Sequence, residues 1–135
     1  MAGRQSTWSS GKPRPAPLAG PEKDRIIAAC EGFIRDVLKP RFLPAIRPTE
    51  FNYCVDIFGK WAGGRYRFIQ LYRSGFVENL GDEFEAPFAR LDYMGPGRFD
   101  IQWMRHTGKW WPLYAGLSLS RALAALESDE LLHPI

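Results

Sequence analysis

The 135-residue chain has only two cysteines, Cys30 and Cys54, and their spacing fits neither a zinc site nor a redox pair. Two thiols behind an N-terminus with no apolar signal segment point to a reduced, cytoplasmic setting. No run of about 18 apolar residues occurs, so no membrane-spanning helix and no membrane partner is expected. Also missing are a nucleophile elbow, a phosphate loop, a dinucleotide fingerprint and any Cys/His metal pattern. The sequence therefore nominates no catalytic residue, no metal ligand and no cofactor.

Acid is absent from the first 20 residues, which carry Arg4, Lys12 and Arg14. That segment accounts for the whole net charge of +3. The remaining residues hold 15 basic and 15 acidic side chains, from totals of 18 and 15. A pI near 9.0 is thus a property of the leader, and bulk charge does not by itself indicate nucleic acid. Residues 1–20 are rich in Pro, Gly and Ser and poor in apolar groups, so a disordered basic tail is expected. Residues 21–135, within a chain that is 45% hydrophobic, suffice for one domain with one core.

The first helix is expected from Pro21, where Glu22 and Asp24 suit the positive end of its dipole. Ile26, Ile27, Cys30, Phe33, Ile34, Val37 and Leu38 recur at three-and-four spacing, and Pro40 is expected to stop the helix near Leu38. Residues 51–114 read as a five-stranded antiparallel meander punctuated by Gly63-Gly64, an acidic Gly-containing loop, Gly95-Pro96-Gly97 and Thr107-Gly108. The acidic loop, with Glu78, Asp82, Glu83 and Glu85, lacks calcium-loop spacing and reads as solvated. A final helix opens at Ser118 as N-cap and carries Leu119, Ala122, Leu123 and Leu126 on one face. The fold class is α+β, a sheet flanked by an N-terminal and a C-terminal helix.

The turns imply a register. Tyr93 should face Phe99, Leu91 face Ile101, and Ala89 face Trp103, with Met94 opposite Arg98. Trp61 should lie beside Tyr66, Val55 beside Tyr72, Trp103 beside Pro112 and Arg105 beside Trp110. One face is then apolar throughout and lies under a helix. Strict alternation sends to the other face Asn52, Cys54, Asp56, Lys60, Arg65, Arg67, Arg73, Arg90, Asp92, Arg98, Asp100 and Gln102. It also sends there Phe58, Ile69, Leu71, Phe88, Met94, Met104, Trp111 and Leu113. A solvent-facing sheet surface normally alternates cleanly to polar, and this mixture departs from that rule.

That mixed face supports three readings. It is a binding surface for another protein or a second copy of the chain, with Arg67, Arg90, Arg105, His106, Met104 and Trp111 as contact residues. Alternatively, a single nucleic-acid strand stacks on its aromatics with Arg on phosphate, or a second core layer lies there under a helix. Asp92 opposite Asp100 invites a shared proton or a metal, yet Arg90 and Arg98 two residues away explain the pair as an ion-pair ladder. A small enzyme would need His106 joined to one of those carboxylates.

The stretches FNYCVDIFGKW (51–61), Arg73-Ser74, FARLDY (88–93), MRHTGKWWPLY (104–114) and GLSLSRAL (116–123) resemble a small bacterial family. That family is catalogued as domain of unknown function three thousand and twenty-four. The resemblance implies a shared fold from Phe51 onward and, since the family has no assigned activity, no site residue. The Pro-rich start is an addition to the family's usual short leader.

Overall fold

The computed structural model describes residues 15, 16, 18 and 20–135, so the expected tail falls mostly outside the described residues. Helix α1 (Gly20–Phe33) runs into a π-helical turn (Ile34–Leu38) and then a short α2 (Lys39–Phe42). Pro40 does not end the helix as expected. A proline costs its own N–H and crowds the carbonyl four residues back. The widened π turn, closed by Lys39 N–H onto Ile34 O, accommodates both and lets the chain continue to Phe42.

The strands are β1 (Asn52–Ala62), β2 (Arg65–Ser74), β3 (Glu83–Gly95), β4 (Arg98–Met104) and β5 (Trp110–Leu117), all antiparallel and in sequence order. Helix α3 (Leu119–Ser128) follows, with Ser118 Oγ accepting from Arg121 N–H as the N-cap. The fold is α+β, as the turn and periodicity signals indicated. No helix among the described residues is long and apolar enough to cross a membrane.

Gly63 and Gly64, at φ 59° and 77°, form the tight β1–β2 turn, and Trp61 pairs with Tyr66 as expected. The β3–β4 pairs Tyr93–Phe99, Leu91–Ile101 and Ala89–Trp103 also match. Both helices lie on the face these pairs share. Ile26, Cys30, Phe33, Leu38, Ala122 and Leu126 form one core with Ile57, Tyr66, Phe68, Leu91, Tyr93, Phe99 and Ile101.

Register shifts in every strand pair, two of them between β4 and β5, break strict alternation. One extra residue at Val55 turns Cys54 toward the core, opposite Tyr72. Another at Phe88 lets Phe68 face Ala89 while Ile69 faces Pro87, so Phe88 turns inward to 6.4 Å from the Phe68 ring. At the β3–β4 hairpin Gly95, not Met94, pairs with Arg98, and the loop is Pro96-Gly97. At the β4–β5 hairpin Arg105 N–H donates to Lys109 O, so the loop is one residue longer than Thr107-Gly108 alone. Trp103 then faces Trp111, and Met104 faces Trp110. Cys54, Phe88, Trp111 and Leu113 are therefore not on the mixed face that alternation assigned them. A slip of one residue exchanges the faces, and Trp110 and Pro112 are there instead.

The acidic stretch is likewise not all loop. Glu83 and Glu85 are strand residues opposite Arg73 and Leu71. At the other end of the chain, Gln70 and Tyr72 hold the last residue: Gln70 Nε2 and Tyr72 Oη donate to Ile135 O, and Ile135 N–H returns to Gln70 Oε1.

Candidate functional site

The sheet face opposite the helices is built from rows that run across the strands. Along one row lie Lys60, Arg67, Arg90, Gln102 and Pro112. Two residues further along β1, β2, β4 and β5, and three along the bulged β3, is an apolar row, in which Phe58 faces Ile69 and Ile69 faces Pro87. Met104 and Trp110 face one another at its far end. Beyond it, Asp56, whose carboxylate is held by Lys39 of α2 at 2.9 Å, faces Leu71, and Leu71 faces Glu85. Strand residues two apart lie about 7 Å apart, so a cationic row and an acidic row flank an apolar one at that spacing.

Like charges directly opposite one another are destabilising, and the cationic row disposes of two of its three charges internally. Lys60 Nζ pairs with Glu85 at 2.8 Å. Arg90 grips Asp92 with two bonds, 2.8 and 3.0 Å, and its guanidinium lies 4.9 Å from the centre of the Trp110 ring. Asp92 is 3% exposed and Arg90 8%, so the pair is buried in the sheet surface. Arg65 Nε approaches Asp92 at 3.6 Å, close enough for attraction and too far for a hydrogen bond. Arg67 is half-buried, and among the described residues no carboxylate pairs with it.

The Asp92–Asp100 opposition exists as expected, but the ladder differs. Arg98 turns away to Met94 O, and Asp100 Oδ1 accepts from Gly116 N–H on β5. Two carboxylates with separate donors have no reason to share a proton. No cluster of metal-binding side chains occurs among the described residues.

The six nominated contact residues do not form one patch. Arg67, Arg90 and Met104 share the open face. Arg105 and Trp111 are on the helix-side parity, the guanidinium 5.0 Å from the ring centre, with Trp111 52% exposed. His106 is exposed in the β4–β5 loop. Asp100 and Met104 are four residues apart on β4, about 13 Å, and His106 lies beyond Met104. The structure thus does not bring His106 to Asp92 or Asp100. Alternation missed Trp110, Pro87 and Glu85; the length of the β4–β5 loop and the bulge at Phe88 decide their side, and neither has an unambiguous sequence signal.

Two other surfaces compete. Beside the end of α3, Tyr114, Ser128, Asp129, Glu130 and Leu131 line a shallow cleft. Its polar groups satisfy each other: Tyr114 Oη donates to Asp129 Oδ2 at 2.7 Å, and Leu131 N–H donates to Asp129 Oδ1. That bond to Asp129 raises the Tyr114 phenol above its ordinary value. The turn between β2 and β3 exposes Val77 (91%) and Leu80 (72%) next to the Phe51–Phe76 ring pair.

The chain is a small α+β domain whose helices cover one face of a five-stranded meander and leave the other face mixed in character. The family model described as "Domain of unknown function (DUF3024)" matches residues 18–133, and the chain belongs to that family. No curated protein and no solved structure matches it.

Proposed function

We propose that the domain is a non-catalytic protein-interaction module that binds through its open sheet face, centred on Arg67. The single observation that supports this reading is a cation held between two like charges, with no carboxylate partner among the described residues, beside half-buried apolar groups. Such an arrangement costs the free domain stability and is repaid when a carboxylate arrives. A nucleic-acid strand is the weaker reading, because a backbone needs several uncommitted cations and the neighbours Lys60 and Arg90 are already engaged. Leu80 and Val77 favour a second reading, in which the β2–β3 turn is what docks.

Photo-crosslinking in cells tests both. A benzophenone amino acid at Leu71 should form protein adducts, whereas one at exposed Arg25 on α1 should not. Adducts from position 80 but not 71 would move the interaction to the turn. Yields at 71 no higher than at 25 would end the proposal.

A further inference from the structure

The order of the rows on the open face makes that face complementary to itself. A twofold axis lying in the interface along the apolar row reverses strand direction between two copies and keeps each strand over its equivalent. The cationic row of one copy is then set over the acidic row of the other, and half-buried Phe58 and Pro87 meet their own copies on either side of buried Ile69. Lys60 comes over Asp56 of the second copy and Arg90 over its Glu85, but these cations and acids already have partners in their own chain, so the contact that adds charge pairing is that of Arg67. Arg67 enters beside Leu71 and Glu85 of the second copy and gains a carboxylate where none of the described residues of its own chain supplies one. The alternative face-to-face axis, along the strands, stacks the cationic row on itself and is repulsive. We infer that the occupant of the open face is a second copy of this chain, packed antiparallel in an isologous dimer.

The area agrees with this. Ten residues of β2 span about 33 Å, and five strands span about 19 Å between outer axes. The face therefore offers about 600 Å² per copy, about 1,200 Å² in total, which meets the lower bound for specific association. Twist between the sheets of roughly 30° leaves the rows overlapping at the centre, where Arg67 and Glu85 lie.

The inference rests on the open-face reading above but fails separately from it. Sedimentation of the full chain across a wide concentration range should show a reversible dimer that weakens as salt rises. Arg67→Glu and Glu85→Arg, each alone, should raise the dimer dissociation constant by about a hundredfold, because each places like charges together at two symmetric sites. Mixing the two variants should restore association: in the mixed pair Glu at 67 meets Arg at 85, and the native contact returns at the other site. Loss of association through misfolding would not be rescued by mixing, and circular dichroism of each variant checks the fold. A wild-type monomer at every concentration, or a dimer indifferent to both substitutions, overturns the inference. Adducts from Leu71 to other proteins would then leave the interaction module standing with a different partner.

Discussion

Asp92→Ala should be among the most damaging single substitutions in the domain. The Asp92 side chain is 4% exposed and that of Arg90 10%, and the two are joined by a bidentate pair. Removing the carboxylate strands a buried guanidinium and takes from Arg65 Nε the carboxylate 3.6 Å away. Breaking one side of a buried ion pair costs about 3–5 kcal/mol. Against a domain stability of about 5–15 kcal/mol, that is a large fraction. At roughly 4 °C per kcal/mol for this size, the midpoint should fall by about 12–20 °C. The cost belongs to the orphaned charge, not to the lost attraction, so Arg90→Met combined with Asp92→Leu should recover most of it. Thermal and urea unfolding followed by circular dichroism read all three proteins. A loss under about 1 kcal/mol for Asp92→Ala, or a double variant as unstable as the single, would refute the reasoning.

The two thiols should separate by reactivity: burial pushes the Cys30 thiol up to about 12, while Cys54 is half-buried, so a thiol reagent should modify one cysteine in the folded protein and two after unfolding. Burial also raises the Tyr66 phenol, and its hydroxyl has no hydrogen-bond partner among the described residues. Both groups are held neutral in the folded state and ionise more readily when unfolded, so their stabilisation is full below about pH 8 and falls as pH rises through 9 and 10. Tyr66→Phe should lessen that alkaline loss and leave neutral-pH stability unchanged or slightly higher, measured by urea midpoints at pH 7 and 10. Gly75→Ala should destabilise by more than about 2 kcal/mol in the same assay, because the added methyl would strike the Thr49 and Phe51 carbonyl oxygens that crowd this position.

How much of this was legible from residues alone depended on how local its cause is. Ser118 caps a helix through its own hydroxyl, and Gly63-Gly64 makes a turn through its own backbone freedom, so both could be read in place. The three central β3–β4 pairs followed from the same kind of signal, even though the loop proved one residue shorter than the Gly-Pro-Gly motif suggested. Pro40 misled because the helix answered it with a π turn instead of stopping. Arg67 and Arg90 were assigned to the right face, whereas Trp111 was not. The side of Trp111 depends on the β4–β5 loop, and Arg105 through Lys109 offers no residue that demands one loop length over another. The acids at 83 and 85 looked like loop because a charged, Gly-flanked run has no strand propensity of its own; pairing with Arg73 and Leu71 supplies it.

The bulge at Phe88 links the core to the open face. One residue inserted there buries Phe88 against Phe68 and reverses every side chain of β3 before it. Without the bulge, Pro87, Glu85 and Glu83 would point at the helices, and Ala86 and Phe84 would take their places outside. The acidic row would lose Glu85, Lys60 and Arg73 would lose their partners Glu85 and Glu83, and two carboxylates and a pyrrolidine ring would have to be accommodated on the helix side of the sheet. Filling the core with Phe88 and segregating charge on the open surface are therefore the same structural event. The polarity of that surface is as strongly specified as the packing beneath it, since neither can slip in register without the other.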